Sequence, residues 1–205
     1  MSAAELLRGI RVVPVVVIDD AEQAVPLART LLEAGLGAIE VTLRTPAAMD
    51  AIRRIVNEVP DMITGAGSVR KAAQVAAIAD AGAHFGVSPG ASPALLDAVE
   101  EAHLPFIPGA ITPSETLCLL ERGYGLQKFF PAELSGGAAY LKGIAAPIPE
   151  AAFMPTGGIT AANARDYLAL DNVACLGGTW IAPAASLAAA DFEGIAERAR
   201  AASLL

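Results

Sequence analysis

Short runs of β-branched and other apolar residues alternate along the chain with stretches in which apolar positions recur every three or four residues. The runs fall at 12–18, 38–44, 62–69, 84–88, 106–111, 126–130, 152–156 and 173–177 and predict eight strands. The stretches between them predict helices, with Val25, Ala28 and Leu32 on one face of the first and Met49, Ile52 and Val56 on one face of the next. Gly35, Gly82 and Gly123 stand where three of these helices should stop, because glycine takes the left-handed position after a helix without strain. Asp20 and Thr112 are placed to cap the helices that follow them. Regular alternation of strand and helix predicts an α/β fold, a (β/α)8 TIM barrel with a short N-terminal helix, over residues 1–205 as a single domain. A doubly wound open sheet is the competing architecture. Against it, the turn after the first strand, Ile18-Asp19-Asp20-Ala21, lacks a glycine-rich dinucleotide fingerprint. Pro14 inside the first strand and Pro26 two turns into the first long helix fit this layout poorly and suggest a bulge and a kink.

Composition sharpens the picture. Hydrophobic residues make up 54% and charged residues 18% of the 205, as expected of a parallel sheet covered on both faces by helices. The apolar runs are far shorter than the roughly 20 residues of a membrane span, and the first eight residues read as a capping helix, not a signal peptide. A net charge of -8 argues against nucleic acid and anionic membrane as partners. Cys118 and Cys175, and His84 and His103, are too scattered for a metal site or a disulfide framework. Free thiols suit a reducing cytoplasm. Both histidines read as structural or surface residues, and Trp180 as a packing anchor.

An anionic ligand would need a local cationic or amide-rich site against that overall field. In the second run, Glu40, Thr42 and Arg44 share one face of a strand whose other face is Ile39, Val41 and Leu43. In a barrel the apolar face meets the helices, so the acid, the hydroxyl and the arginine point inward; a half-exposed edge strand is the alternative. Lysine occurs only at 71, 128 and 142. Lys71 and Lys142 fall in helical segments as surface charges, whereas Lys128 lies in a strand just before Phe129 and Phe130. Its stem could snorkel out of the strand end. Held instead in an apolar pocket, the ammonium would be disfavoured and the neutral amine could attack a carbonyl to form a Schiff base.

Small residues cluster after several strands: Gly65-Ala66-Gly67-Ser68, Ser88-Pro89-Gly90, Pro108-Gly109, Thr156-Gly157-Gly158 and Gly177-Gly178-Thr179. The last two follow the seventh and eighth strands, where barrels commonly hold a phosphate on backbone amides and helix N-termini.

Taken in order, Glu40-Val-Thr-Leu-Arg44-Thr45, Gly65-Ala-Gly-Ser68, Ser88-Pro89-Gly90, Lys128-Phe-Phe-Pro-Ala-Glu133, Pro155-Thr-Gly-Gly158 and Gly177-Gly-Thr-Trp180 resemble the motifs of the 2-keto-3-deoxy-6-phosphogluconate aldolases. That family also includes 4-hydroxy-2-oxoglutarate aldolase activity. The resemblance runs from about Arg11 to Trp180. It implies a class I aldolase, free of metal and cofactor, on a trimeric barrel, with a phosphorylated 2-keto-3-deoxy acid and pyruvate as its small-molecule partners. It implies Lys128 as the Schiff-base lysine and Glu40 as the general acid–base. Arg44 would bind the pyruvate-end carboxylate, with Ser68 and Pro89 lining that pocket and Phe130 beside the lysine. Thr156, Gly157, Gly158, Gly178 and Thr179 would hold the phosphate end. Ser68 stands where the family usually has threonine and Thr179 where it usually has serine; both keep a hydroxyl. The segment before Lys128 is slightly shorter than the usual form. The alternatives are aldol cleavage of 4-hydroxy-2-oxoglutarate or of the galactonate-derived epimer, a phosphosugar isomerase, and a non-catalytic phosphosugar-binding barrel.

Overall fold

Apolar runs bounded by glycine and proline become strands, and the periodic stretches become the helices that cover them. The computed structural model describes residues 1–205. In chain order it contains α1 (Ala3–Leu6), β1 (Val12–Val16), α2 (Ala24–Glu33), β2 (Ala38–Thr42), α3 (Ala48–Glu58), β3 (Ile63–Gly67), α4 (Ala72–Asp80), β4 (Phe85–Val87) and α5 (Pro93–Glu101). There follow β5 (Phe106–Ile107), β6 (Gly109–Ala110), α6 (Pro113–Glu121), β7 (Leu126–Phe129), α7 (Gly137–Ala145), β8 (Ala152–Pro155), α8 (Ala164–Leu168), β9 (Leu176–Gly178), α9 (Ala184–Ala188) and α10 (Phe192–Ser203).

Pairing is parallel throughout. Six strands run in the order β5-β4-β3-β2-β1-β9 and three more in the order β6-β7-β8. In place of the expected closed eight-stranded barrel, the strands thus form two parallel sheets. Only Pro108 separates β5 from β6, and isolated bridges at Phe153↔Val173 and Thr156↔Gly177 reach from β8 toward the β9 segment. The expected strand at 106–111 is split because proline brings no N–H to the ladder. The other strands lie within the expected runs or overlap them; the last begins at Leu176, not at 173, since Val173 contributes only a bridge.

The sheets curl around one apolar cluster of Val13, Ala38, Phe85, Val87, Ile107, Leu126, Met154 and Cys175, and Ala3 and Leu7 pack against it at one end. This explains α1. A capping box secures it: the Ser2 hydroxyl accepts from the Glu5 N–H and the Glu5 carboxylate accepts from the Ser2 N–H. A larger cluster of 33 residues fills the space between the strands and the outer helices. Burial of one leucine or isoleucine there stabilises by about 1.5–3 kcal/mol.

The helix faces differ by one position from expectation. Leu32 and Val56 are half-buried, while Leu31 and Ile55 are fully buried, because the faces are centred nearer the small residues Ala28 and Ala51. Gly35, Gly82 and Gly123 all take positive φ after their helices, and Thr112 caps α6 through its side chain. Asp20 caps a 3-10 turn at Ala21–Gln23 that precedes α2. That turn delays the helix, so Pro26 is its third residue, in the first turn, where an N–H has no partner to lose. At Pro14 the ladder changes sides: Val12 to Pro14 pair with β9, and Val15 and Val16 pair with β2.

Candidate active site

The site is built at the C-terminal ends of β2 and β7. Alternation along β2 sends Ala38 into the central cluster and Glu40 and Thr42 inward above it. Thr42 donates to the Val16 carbonyl at 2.9 Å and is satisfied between its own strand and β1. Glu40 has no exposed surface, and Lys128, on β7, is 5% exposed. The Lys128 ammonium donates to Glu40 Oε1 at 3.0 Å and Oε2 at 3.4 Å. Glycine makes this possible: a Cβ on Gly67, in the neighbouring β3, would lie 2.1 Å from Glu40 Oε1. Burying two ions costs several kcal/mol each before their attraction is counted. A pair of well-packed apolar residues would serve stability as well, so stability does not account for the pair.

Around the lysine lies a cavity of about 200 Å³ lined by Val15, Arg44, Ser68, Pro89, Lys128, Phe130, Thr156, Gly157 and Thr179. The Lys128 amine sits 5.6 Å from the centre of the Phe130 ring. Three larger cavities, of about 440, 370 and 220 Å³, lie beside the N-terminus, between α5 and α6, and between the segment after β1 and α9; none contains a buried charged side chain.

Arg44 is not in the interior as its place in the alternation suggested. The strand ends at Thr42, the chain turns, and Arg44 stands exposed on the rim, where its Nε donates to Ser68 Oγ at 3.3 Å. Ser68 holds the left-handed conformation, φ +59, which costs a non-glycine residue about 1–3 kcal/mol and is typical of strained functional positions. This places a guanidinium on the rim of the cavity that Lys128 lines; Glu40 itself does not line the cavity and touches it only through its hydrogen bond with the Lys128 amine.

On the far side, Thr156 is buried, and a Cβ on Gly177 would meet its hydroxyl at 2.1 Å. The Thr156-Gly157-Gly158 turn is held by the segment after Lys128: the Ala132 N–H donates to the Thr156 carbonyl at 2.8 Å and the Glu133 N–H to the Gly157 carbonyl at 3.1 Å. Gly157 and Gly158 take φ of +98 and +80. Gly158 and Gly178 do not line the cavity wall. Gly178 instead makes room for Trp180, whose ring would lie 2.3 Å from a Cβ there. Val15 was not legible as a site residue, since nothing sets it apart within an all-apolar run.

His84 is structural: its Nδ1 accepts from the Thr64 N–H at 2.9 Å, and burial holds it below the usual imidazole range. Cys175 lies buried in the central cluster, and burial, with the charge of Glu40 above it, pushes its thiol up to about 12. No three His, Cys, Asp or Glu side chains converge where they could hold a metal ion. Likewise, no helix is long and apolar enough to cross a membrane.

A buried amine, its carboxylate partner and a rim arginine on a parallel α/β scaffold are the equipment of a lyase that works through a lysine nucleophile. Residues 3–198 match the profile of the KDPG and KHG aldolases, and the chain belongs to that family. It is 48% identical over 199 residues to the KHG/KDPG aldolase of Escherichia coli K12, covering 97% of this chain and 93% of that one. A 2-dehydro-3-deoxy-phosphogluconate aldolase of Dickeya dadantii is 47% identical with the same coverage. Among solved structures, the KDPG aldolase of Legionella pneumophila, with pyruvate captured as a covalent carbinolamine intermediate, superimposes with a TM-score of 0.95 at 40% identity over 98% of both chains.

Proposed function

We propose that this chain is a class I aldolase that cleaves 2-keto-3-deoxy-6-phosphogluconate to pyruvate and glyceraldehyde 3-phosphate through a Schiff base on Lys128. The observation that carries this reading is Lys128, which lines a cavity rimmed by Arg44 and is hydrogen-bonded to the fully buried Glu40. The hydrogen bond at 3.0 Å gives the ammonium proton a path to the carboxylate, which leaves a neutral amine. That amine attacks the C2 ketone to give a carbinolamine; the proton held on Glu40 then passes to the carbinolamine hydroxyl, which leaves as water to give an iminium and restores the carboxylate. Glu40, directly or through one water, takes the proton of the C4 hydroxyl. The C3–C4 electron pair then moves into the iminium, the aldehyde leaves and an enamine remains. Protonation at C3 and hydrolysis release pyruvate and restore the amine. The iminium nitrogen is the electron sink, so the chemistry needs no metal or cofactor. Arg44 holds the substrate carboxylate in a planar two-point contact, with Ser68 and Pro89 beside it and Phe130 against the lysine stem. Thr156, Gly157, Gly158, Gly178 and Thr179 form the phosphate end.

The same reading takes residues 1–205 as one (β/α)8 barrel domain. β5 and β6 count as a single strand broken at Pro108, and the bridges at Phe153 and Thr156 support closure between β8 and β9. It further takes the enzyme as a cytoplasmic homotrimer in Entner–Doudoroff carbohydrate breakdown. A second substrate, 4-hydroxy-2-oxoglutarate, is favoured by the family description and by the name of the E. coli relative, which carry both activities. Pyruvate release from each substrate, followed with lactate dehydrogenase and NADH, tests the reading. Turnover of the phosphorylated substrate by the wild type, abolished in Lys128→Met, supports it, and undiminished turnover in Lys128→Met refutes it.

A further inference from the structure

We propose that the buried phenol of Tyr167 and the carboxylate of Glu133 form a latch that fixes the Gly157-Gly158 turn and so sets affinity for the phosphate-bearing end of the substrate. The proposal rests on reading that turn as the phosphate site. Tyr167, on α8, is 1% exposed, and its hydroxyl donates to Glu133 Oε1. Burial and the bond to Glu133 both push the phenol above its ordinary range, so it remains a donor. Glu133 is exposed and lies outside the cavity, behind the turn. Its stem presses on that turn: a Cβ on Gly158 would lie 2.6 Å from Glu133 Cγ and 2.7 Å from its Cβ. The Glu133 N–H also donates to the Gly157 carbonyl, so one residue grips the turn by backbone and by side chain. Asn163 Nδ2 also donates to the Gly158 carbonyl, at 3.2 Å.

Both partners are therefore positioning residues. Glu133 follows the strand of Lys128 and Tyr167 follows the glycine turn, so their bond ties the lysine segment to the phosphate segment. Amides that must sit within a few tenths of an ångström of an anion lose affinity when the turn behind them slackens. Glu40 and Arg44, on and after β2, are untouched by this contact, so the pyruvate end should not respond.

The test compares wild type, Tyr167→Phe and Glu133→Gln, the last keeping an acceptor for the phenol. Three readings are taken: kcat and KM with 2-keto-3-deoxy-6-phosphogluconate, competitive inhibition by inorganic phosphate, and deuterium exchange of pyruvate methyl protons. Tyr167→Phe should raise KM and the phosphate inhibition constant about tenfold, with kcat and pyruvate exchange within about twofold of wild type and Glu133→Gln near wild type. If Tyr167→Phe proves unstable, Glu133→Ala at its exposed position carries the same expectation. An unchanged KM, or an equal loss in pyruvate exchange, overturns the latch while the phosphate reading stands. Failure of inorganic phosphate to compete in the wild type overturns the phosphate reading, and the latch with it.

Discussion

Replacing Gly67 by alanine should disable the enzyme without unfolding it. The new Cβ would sit 2.1 Å from Glu40 Oε1 and 2.7 Å from both Cγ and Cδ of the same side chain. Ordinary contact begins near 3.3 Å, so the carboxylate must retreat by about 1 Å. The atom displaced is the one that accepts from Lys128 at 3.0 Å, and a shift of that size breaks the bond. General acid–base help of this kind is worth roughly 10²–10⁴-fold, and misplacement by about 1 Å has a comparable cost. We expect kcat to fall by about 10²-fold, with KM changed little because Arg44 and the glycine turns do not move. Overpacking at a buried position costs about 1–3 kcal/mol, so a lowered but cooperative melt should accompany the loss. The assay is pyruvate release coupled to lactate dehydrogenase, with thermal unfolding by circular dichroism alongside. A folded Gly67→Ala enzyme with kcat within threefold of wild type would refute the assignment of Glu40 as acid–base.

Arg44→Lys keeps the charge but loses the planar fork, and should raise KM for both 2-keto acids about tenfold, read in the same coupled assay. Thiol titration with a disulfide reagent should label exposed Cys118 within minutes and Cys175 only after unfolding, as its burial and raised thiol value require. Two rapidly labelled thiols in the native protein would contradict the central packing. Hydrogen bonds from the Thr112 and Ile111 backbones hold the Glu115 carboxyl below its usual range. Because its value is lowered in the folded state, its stabilisation is present above the unfolded carboxylate value and is lost as pH falls through the folded one. The urea stability difference between wild type and Glu115→Gln should thus be steady above about pH 5 and shrink toward zero on acidification. At a largely solvent-facing position it should amount to about 0.5 kcal/mol.

Much of this molecule could be read in the sequence because strand runs, glycine stops and the scarcity of lysine each carry a physical meaning. Lys128 stood out as one of three lysines and the one in a strand, and Glu40 as an acid on the polar, inward face of a strand whose other face is apolar. What escaped was whatever depends on where a strand ends. Arg44 has the parity of Glu40, yet β2 stops two residues earlier and leaves it on the rim. Pro26 looked like a kink because the 3-10 turn before α2 could not be seen in the pattern. The Tyr167–Glu133 contact joins residues 34 apart whose meeting is decided by the fold alone. Val15 and the strained Ser68 carry no local signal, since an apolar run and a serine after glycine read the same with or without a site.

The central claim is a covalent one, and covalent trapping tests it most directly. Borohydride reduction in the presence of pyruvate, followed by mass spectrometry of the proteolysed chain, should place one pyruvyl-derived secondary amine on Lys128 and leave Lys71 and Lys142 unmodified. An adduct on either of those lysines instead, or none at all, would contradict the account.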